Sequence, residues 1–143
     1  MRRLSFVLAC VLSTLPAFAQ TQAPAQPAAF IPPVKGVATI EVIQSSKQVG
    51  NQMVTTLKIR NTSKGSINLL KADEYWYDKG MKIVTGAQYA HKKAPIKPGE
   101  IIEVTLKSPI QPGTAPNQNQ VLFRHANGDA KATKVKAFPP PPK

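Results

Sequence analysis

Apolar and polar residues alternate along much of the chain, which is the pattern of a half-buried β-strand. The segment 53–60 is the clearest case, because Lys58 and Arg60 mark its outward face. Leu57 and Ile59 alternate with them and are therefore predicted to point inward. No long segment shows the 3.6-residue apolar period of an amphipathic helix. The pattern predicts an all-β domain.

About seven such segments follow one another, separated by turn residues at nearly regular spacing. Besides 53–60, strands are predicted in the segments 37–43, 67–77, 81–85, 101–107, 121–126 and 130–137. Asn127-Gly128, between the last two, is typical of a tight β-hairpin. Pro109 and Pro112 end the preceding strand, since proline has no N–H for a central ladder. This series is typical of an antiparallel immunoglobulin-like β-sandwich, and a small barrel is the alternative.

The first nineteen residues have the three-part organisation of a secretory signal. Arg2 and Arg3 provide a positive start, and an apolar run of about twelve residues follows. That run is shorter than the about 20 residues of a membrane-spanning helix. Small residues in Ala17-Phe18-Ala19 suit a signal peptidase. We therefore expect cleavage after Ala19, through the general secretory route, and a periplasmic or secreted protein.

A second interpretation of the signal concerns Cys10. The run VLAC at 7–10 is similar to a bacterial lipobox, which would place a lipid on Cys10. We rank this lipoprotein interpretation below simple cleavage, because an apolar stretch continues after the cysteine. Cys10 is the only cysteine, so cleavage after Ala19 leaves a mature chain that forms no internal disulfide.

Composition divides the mature chain into three parts. Residues 20–34 are rich in Gln, Ala and Pro without periodicity, and we expect them to form a linker. Residues 35–138 hold the predicted strands, and about one hundred residues suffice for one β-sandwich core. Residues 139–143, four prolines and a lysine, form a polyproline tail.

Positive charge dominates the composition. Two of the 19 Lys and Arg residues lie in the signal, so the mature chain has 17 of them against 7 Asp and Glu, a net charge of +10. This charge favours anions such as lipopolysaccharide, acidic polysaccharide or an anionic membrane surface. His91, Lys92, Lys93 and Lys97 form the candidate anion-binding cluster, although a solvated basic surface is the simpler interpretation. No recognised motif predicts sequence-specific nucleic-acid binding.

The sequence shows no catalytic constellation. His91 and His125 lie in different segments, and glycine-rich phosphate loops, nucleophile elbows and metal-ligand spacings are missing. Asp73 and Glu74 are adjacent, so in a strand they point to opposite faces and do not form a carboxylate pair. We expect no enzymatic activity, no metal and no cofactor.

Three aromatic residues follow one another in the predicted third strand. Trp76 is predicted to anchor the core, which places Tyr75 and Tyr77 together on the opposite face. The two tyrosines are candidate partner-contact residues. Packing against neighbouring strands or a covering loop is the simpler role.

The run YWYDKG at 75–80, followed by KPGE at 97–100, resembles the FxLYD-type domains of bacterial envelope proteins. The segment LKIRNT at 57–62 resembles the strand and turn that precede these motifs in that family. Glu74 stands in the place of the family's Phe, and Trp76 in that of its Leu. The resemblance covers about half of the domain. It implies an immunoglobulin-like fold in an exported protein, and it transfers no catalytic residue to this chain. Separately, we expect the partner to be an unidentified envelope protein or an anionic polymer.

Overall fold

The computed structural model describes residues 27–140, and within this range it contains strands and no helix. The seven strands are β1 (Ala38–Val49), β2 (Gln52–Asn61), β3 (Lys71–Tyr77), β4 (Ile83–Ala90), β5 (Ile101–Pro109), β6 (Asn119–His125) and β7 (Gly128–Lys134). The all-β prediction is confirmed. A helix long and apolar enough to cross a membrane is missing from the same range. The predicted signal, its cleavage site and Cys10 lie outside the described residues.

The strands form one mixed sheet in the order β4-β3-β6-β7-β1-β2-β5. Five of the six pairings are antiparallel, but β1 and β7 run parallel, from Ala38 opposite Ala130 to Val42 opposite Lys134. The two end strands, β4 and β5, lie next to each other, so the sheet is nearly closed and barrel-like. The expectation of a wholly antiparallel arrangement was therefore wrong. Alternation determines which side chains face inward, but it does not determine which strands become neighbours.

The pairing of β6 with β7 is short. It comprises Arg124 opposite Asp129 and His125 opposite Gly128, directly at the hairpin that Asn127-Gly128 predicts. Gly128 has a φ of 151°, and a Cβ there would lie 2.8 Å from the carbonyl oxygen of Gly36. In the strand order, this short ladder joins the group β4-β3-β6 to the group β7-β1-β2-β5.

The core consists mainly of aliphatic side chains from the inward positions of the strands. Leu57 and Ile59 are buried, as their alternation with Lys58 and Arg60 predicts. Each buried side chain of this size contributes about 1.5–3 kcal/mol relative to an exposed one. The completely buried Trp76 is a core residue, as predicted, although it lies outside the main aliphatic cluster.

The third and fourth strands begin later than the sequence pattern predicts. β3 starts at Lys71 rather than near Ile67, because Leu69 has a φ of 50° and lies in a turn. β4 starts at Ile83, because Met81 has a φ of 62°. Asp78 Oδ1 stabilises that second turn by accepting hydrogen bonds from the N–H groups of residues 80 and 82, at 2.8 and 2.9 Å.

Both described ends of the chain contact the domain. In the predicted linker, the Val34 N–H donates to the Ser66 carbonyl oxygen at 2.9 Å. At the other end, Arg60 Nη1 donates to the Pro139 carbonyl oxygen at 2.6 Å. The Arg60 guanidinium also lies 5.1 Å from the centre of the Phe138 ring, and it forms an ion pair with Glu41. Residues 139 and 140, the first two of the predicted polyproline tail, therefore lie beside the sheet.

Candidate functional site

The outer face of β4-β3-β6 presents the two tyrosines that the sequence singles out. Glu74 and Trp76 are buried, so the intervening Tyr75 and Tyr77 point to the opposite side of β3. Both tyrosine side chains are partly exposed. The Tyr77 hydroxyl donates to Gln120 Oε1 at 2.9 Å, which orients this ring along the outer surface.

Strand register places apolar neighbours beside the two tyrosines. Tyr77 lies opposite Ile83, and the row next to Tyr75 contains Leu122. Ile83 is 53% exposed and Leu122 is 45% exposed, so apolar surface adjoins the two tyrosines. Tyr75, Tyr77, Ile83, Gln120 and Leu122 are called the tyrosine face below.

Gly86 leaves space at the centre of the tyrosine face. It lies directly opposite Tyr75 on β4, and it has no side chain to cover that ring. A shallow groove of about 440 Å³ is lined by Tyr75, Ile83 and the β4 residues from Thr85 to Gln88. A Cβ at position 86 would lie 2.2 Å from the Glu74 carbonyl oxygen, so the close approach of β4 to β3 requires glycine here.

An ion pair lies at one side of the tyrosine face. Arg124 Nη2 lies 2.5 Å from Asp73 Oδ2, and the Asp73 side chain is buried whereas Arg124 is largely exposed. The hydrogen bond and the negative charge of Asp73 raise the pKa of the Arg124 guanidinium. The Asp73 carboxylate is thereby paired with Arg124, and a second carboxylate, Asp129, lies opposite Arg124 on β7.

The predicted anion-binding cluster lies in the loop between β4 and β5. Lys92, Lys93 and Lys97 are exposed there, but His91 is buried. His91 Nδ1 lies 3.1 Å from the Tyr89 hydroxyl, and Nε2 lies 3.2 Å from the Ala94 carbonyl oxygen. The structure thus brings the three lysines into one exposed loop and places His91 inside, where it holds the loop.

Acidic side chains accompany this loop. Lys93 lines the same cavity as Glu100 and Glu103. The Glu100 carboxylate also accepts a hydrogen bond from the Lys97 backbone N–H at 2.8 Å. These two carboxylates reduce the positive potential that the three lysines create.

Sequence reasoning missed a buried polar cluster around Glu74. Glu74 is 1% exposed, and Oε1 accepts hydrogen bonds from Thr55 Oγ1 at 2.5 Å and Asn119 Nδ2 at 3.0 Å. Oε2 accepts from Ser108 Oγ at 2.8 Å. A signal was present, because a strand that turns Trp76 inward also turns Glu74 inward two residues earlier. Both oxygens bond to neutral groups of the protein, so the cluster joins strands rather than presenting a carboxylate to a substrate.

Asp73 and Glu74 lie on opposite faces of β3, as the sequence predicts. Within residues 27–140, no group of three or more His, Cys, Asp or Glu side chains could hold a metal ion. The tyrosine face brings the two candidate partner-contact residues together with two half-exposed apolar side chains.

Neither protein-family models nor curated proteins match the sequence. Among solved structures, IrmA from Escherichia coli is similar to this chain, with a TM-score of 0.48 and 8% sequence identity. The matched region covers 74% of this chain and 98% of IrmA.

Proposed function

We propose that this chain is an exported, non-catalytic β-domain of the bacterial cell envelope that binds another protein through its tyrosine face. The proposal rests on one observation: Tyr75 lies opposite Gly86, which has no side chain. The half-exposed Ile83 and Leu122 flank this pair. Tyrosine is enriched among the residues that dominate binding energy, because it combines a large apolar surface with a polar hydroxyl.

The proposal includes an immunoglobulin-like fold of FxLYD type. Two features support it: the motif resemblance at 75–80 and 97–100, and the shortness of the ladder between β6 and β7, which has two residue pairs. An export role rests on the pattern of residues 1–19. Cell fractionation tests it: a protein that remains in the cytoplasm with its first nineteen residues attached contradicts export.

The binding proposal is tested by capture from envelope extract with immobilised chain 20–143. We expect Tyr75→Ala together with Tyr77→Ala to reduce the captured partner at least about tenfold, since hot-spot truncations cost about 2 kcal/mol or more. Phe30→Ala is the matched control, because it removes a ring that is 86% exposed and lies outside the sheet. Capture that is equal for the tyrosine variant and the control contradicts the proposal.

A photo-crosslinking residue makes the test independent of affinity. Placed at Leu122, it should crosslink the same partner in whole cells, whereas the same residue at Phe30 should not. Circular dichroism of each variant establishes that the β-domain is intact. Crosslinks that form equally from both positions would place the contact away from the tyrosine face.

A further inference from the structure

The outer face of β1-β2-β5 carries lysines in regular cross-strand positions. Lys47 lies opposite Val54, and Val54 lies opposite Lys107, so two lysines flank one half-buried valine across three strands. Lys58 lies on the same face four residues further along β2. All three lysine side chains are exposed.

A row of hydroxyl groups separates these lysines. Ser45, Thr56 and Thr105 are opposite one another on β1, β2 and β5, between the row of Lys47 and the row of Lys58. Ser45 and Thr105 are exposed and Thr56 is partly exposed. The three lysines and three hydroxyl residues are called the lysine face below.

The spacing on the lysine face follows from sheet geometry. Neighbouring strands lie about 4.8 Å apart, so the Cα atoms of Lys47 and Lys107 are about 10 Å apart. Successive rows on one face are about 7 Å apart along a strand. The face therefore presents cations at fixed intervals with hydroxyl donors and acceptors between them, which is complementary to an extended polymer that alternates acidic groups and hydroxyls.

Two of the three lysines, Lys47 and Lys107, share a row that contains no acidic side chain. Glu103, opposite Lys58, is the acidic side chain in these three rows, and it lies at the end away from Lys47 and Lys107. The apolar members of the rows, Ile43 and Val54, are partly buried. A membrane-binding surface normally presents large apolar side chains for insertion, and these rows do not.

We propose that the lysine face binds an acidic polysaccharide. Its carboxylate or sulfate groups pair with Lys47, Lys58 and Lys107, and its hydroxyls bond to Ser45, Thr56 and Thr105. Charge complementarity supports this binding site, which is separate from the proposed protein contact because the lysine face and the tyrosine face lie on different strands.

The test measures retention of chain 20–143 on polygalacturonate and heparin as the salt concentration rises, with neutral dextran as the blank. The test variant is Lys47→Glu, Lys58→Glu and Lys107→Glu, and the matched control is Lys92→Glu, Lys93→Glu and Lys97→Glu. Each triple variant lowers the net charge by six, so the two variants differ only in where on the protein the charge is changed. We expect the test variant to lose at least about tenfold in affinity, since each lysine near an anionic surface is worth about 1 kcal/mol. The control should stay within about threefold of the parent chain.

Several outcomes overturn the proposal. Equal losses in the two variants would mean that overall charge drives retention, and a larger loss in the control would move the site to the loop. Binding to phosphatidylglycerol vesicles without binding to either polysaccharide would assign the charge to a membrane. Failure of the parent chain to bind near physiological salt would make the lysines a solubility feature.

A second variant tests the hydroxyl row without changing charge. Thr56→Val with Thr105→Val should weaken polygalacturonate binding and leave its salt dependence unchanged, because the same ion pairs remain. A double variant that binds as tightly as the parent chain would contradict a role for the hydroxyls. If the triple glutamate variant does not fold, Lys47→Gln, Lys58→Gln and Lys107→Gln replaces it, with the corresponding glutamine control in the loop.

Discussion

Ser108 Oγ on β5 donates a hydrogen bond of 2.8 Å to Glu74 Oε2 on β3, across the interior between two strands that are not neighbours in the sheet. Glu74 Oε1 extends this link to Thr55 on β2 and Asn119 on β6. One buried carboxyl group therefore connects four strands. Because hydrogen bonds inside a protein are directional, this cluster specifies how the two groups of strands pack.

Glu74→Leu should destabilise the domain by about 2–4 kcal/mol, because it leaves the buried Ser108 hydroxyl without its acceptor and removes one hydrogen bond each from Thr55 and Asn119. Glu74→Gln should cost less than about 1 kcal/mol, because the hydroxyls can rotate to accept from the new amide. Urea unfolding of both variants checks this. A glutamine variant as unstable as the leucine variant would show that the carboxyl group itself is required.

Gly86→Ala should destabilise by about 1–3 kcal/mol, since a Cβ 2.2 Å from the Glu74 carbonyl oxygen forces β4 away from β3. Gly80→Ala is the control, because a Cβ there would be 3.3 Å from a side-chain atom of Asp78. Thermal unfolding compares the two. Equal melting temperatures for both variants would mean that β4 moves without loss, and that the groove beside Tyr75 is not rigid.

Period-two alternation accounts for what the sequence predicts correctly. It turns Leu57, Ile59 and Trp76 inward and leaves Tyr75 and Tyr77 outside, and the Asn127-Gly128 dipeptide specifies the last hairpin. These features depend on a few neighbouring residues, so a single segment contains the information. Leu69 and Met81 depart from the alternation pattern because both have a positive φ, and an apolar residue type gives no sign of that backbone angle in the sequence.

Features that depend on register could not be predicted. Three such features arise between different segments of the chain. They are the parallel pairing of β1 with β7, the position of Gly86 beside Tyr75, and the row that joins Lys47 to Lys107. Sequence proximity instead favoured Lys92, Lys93 and Lys97 as the basic site, although Glu100 and Glu103 lie beside them. The cluster around Glu74 was overlooked because its hydrogen-bond partners come from three other strands.

Arg60 and Phe138 should be energetically coupled. The double-mutant cycle of Arg60→Ala with Phe138→Ala should give a coupling energy of about 0.5–1 kcal/mol, the usual value of a cation–π contact. The control cycle pairs Phe138→Ala with Arg124→Ala, an arginine that bonds to Asp73 instead. Urea unfolding of the single and double variants supplies the energies. Equal coupling in the two cycles would show that the Phe138 ring does not interact specifically with Arg60.

The stabilisation that Arg124 provides should not change between pH 6 and pH 10. Asp73 raises the pKa of the Arg124 guanidinium, so the contribution of this charge is fully present below the pKa of arginine in the unfolded chain. It is lost only as the pH rises through the still higher folded pKa, beyond this window. Arg124→Gln should therefore lower the free energy of unfolding by the same amount at each pH from 6 to 10, as measured by urea unfolding.

A difference between Arg124→Gln and the parent chain that shrinks between pH 8 and pH 10 would show that another titrating group controls the pair. Lys71→Gln, which removes a neighbouring charge in the same cross-strand row, is the control for general charge effects.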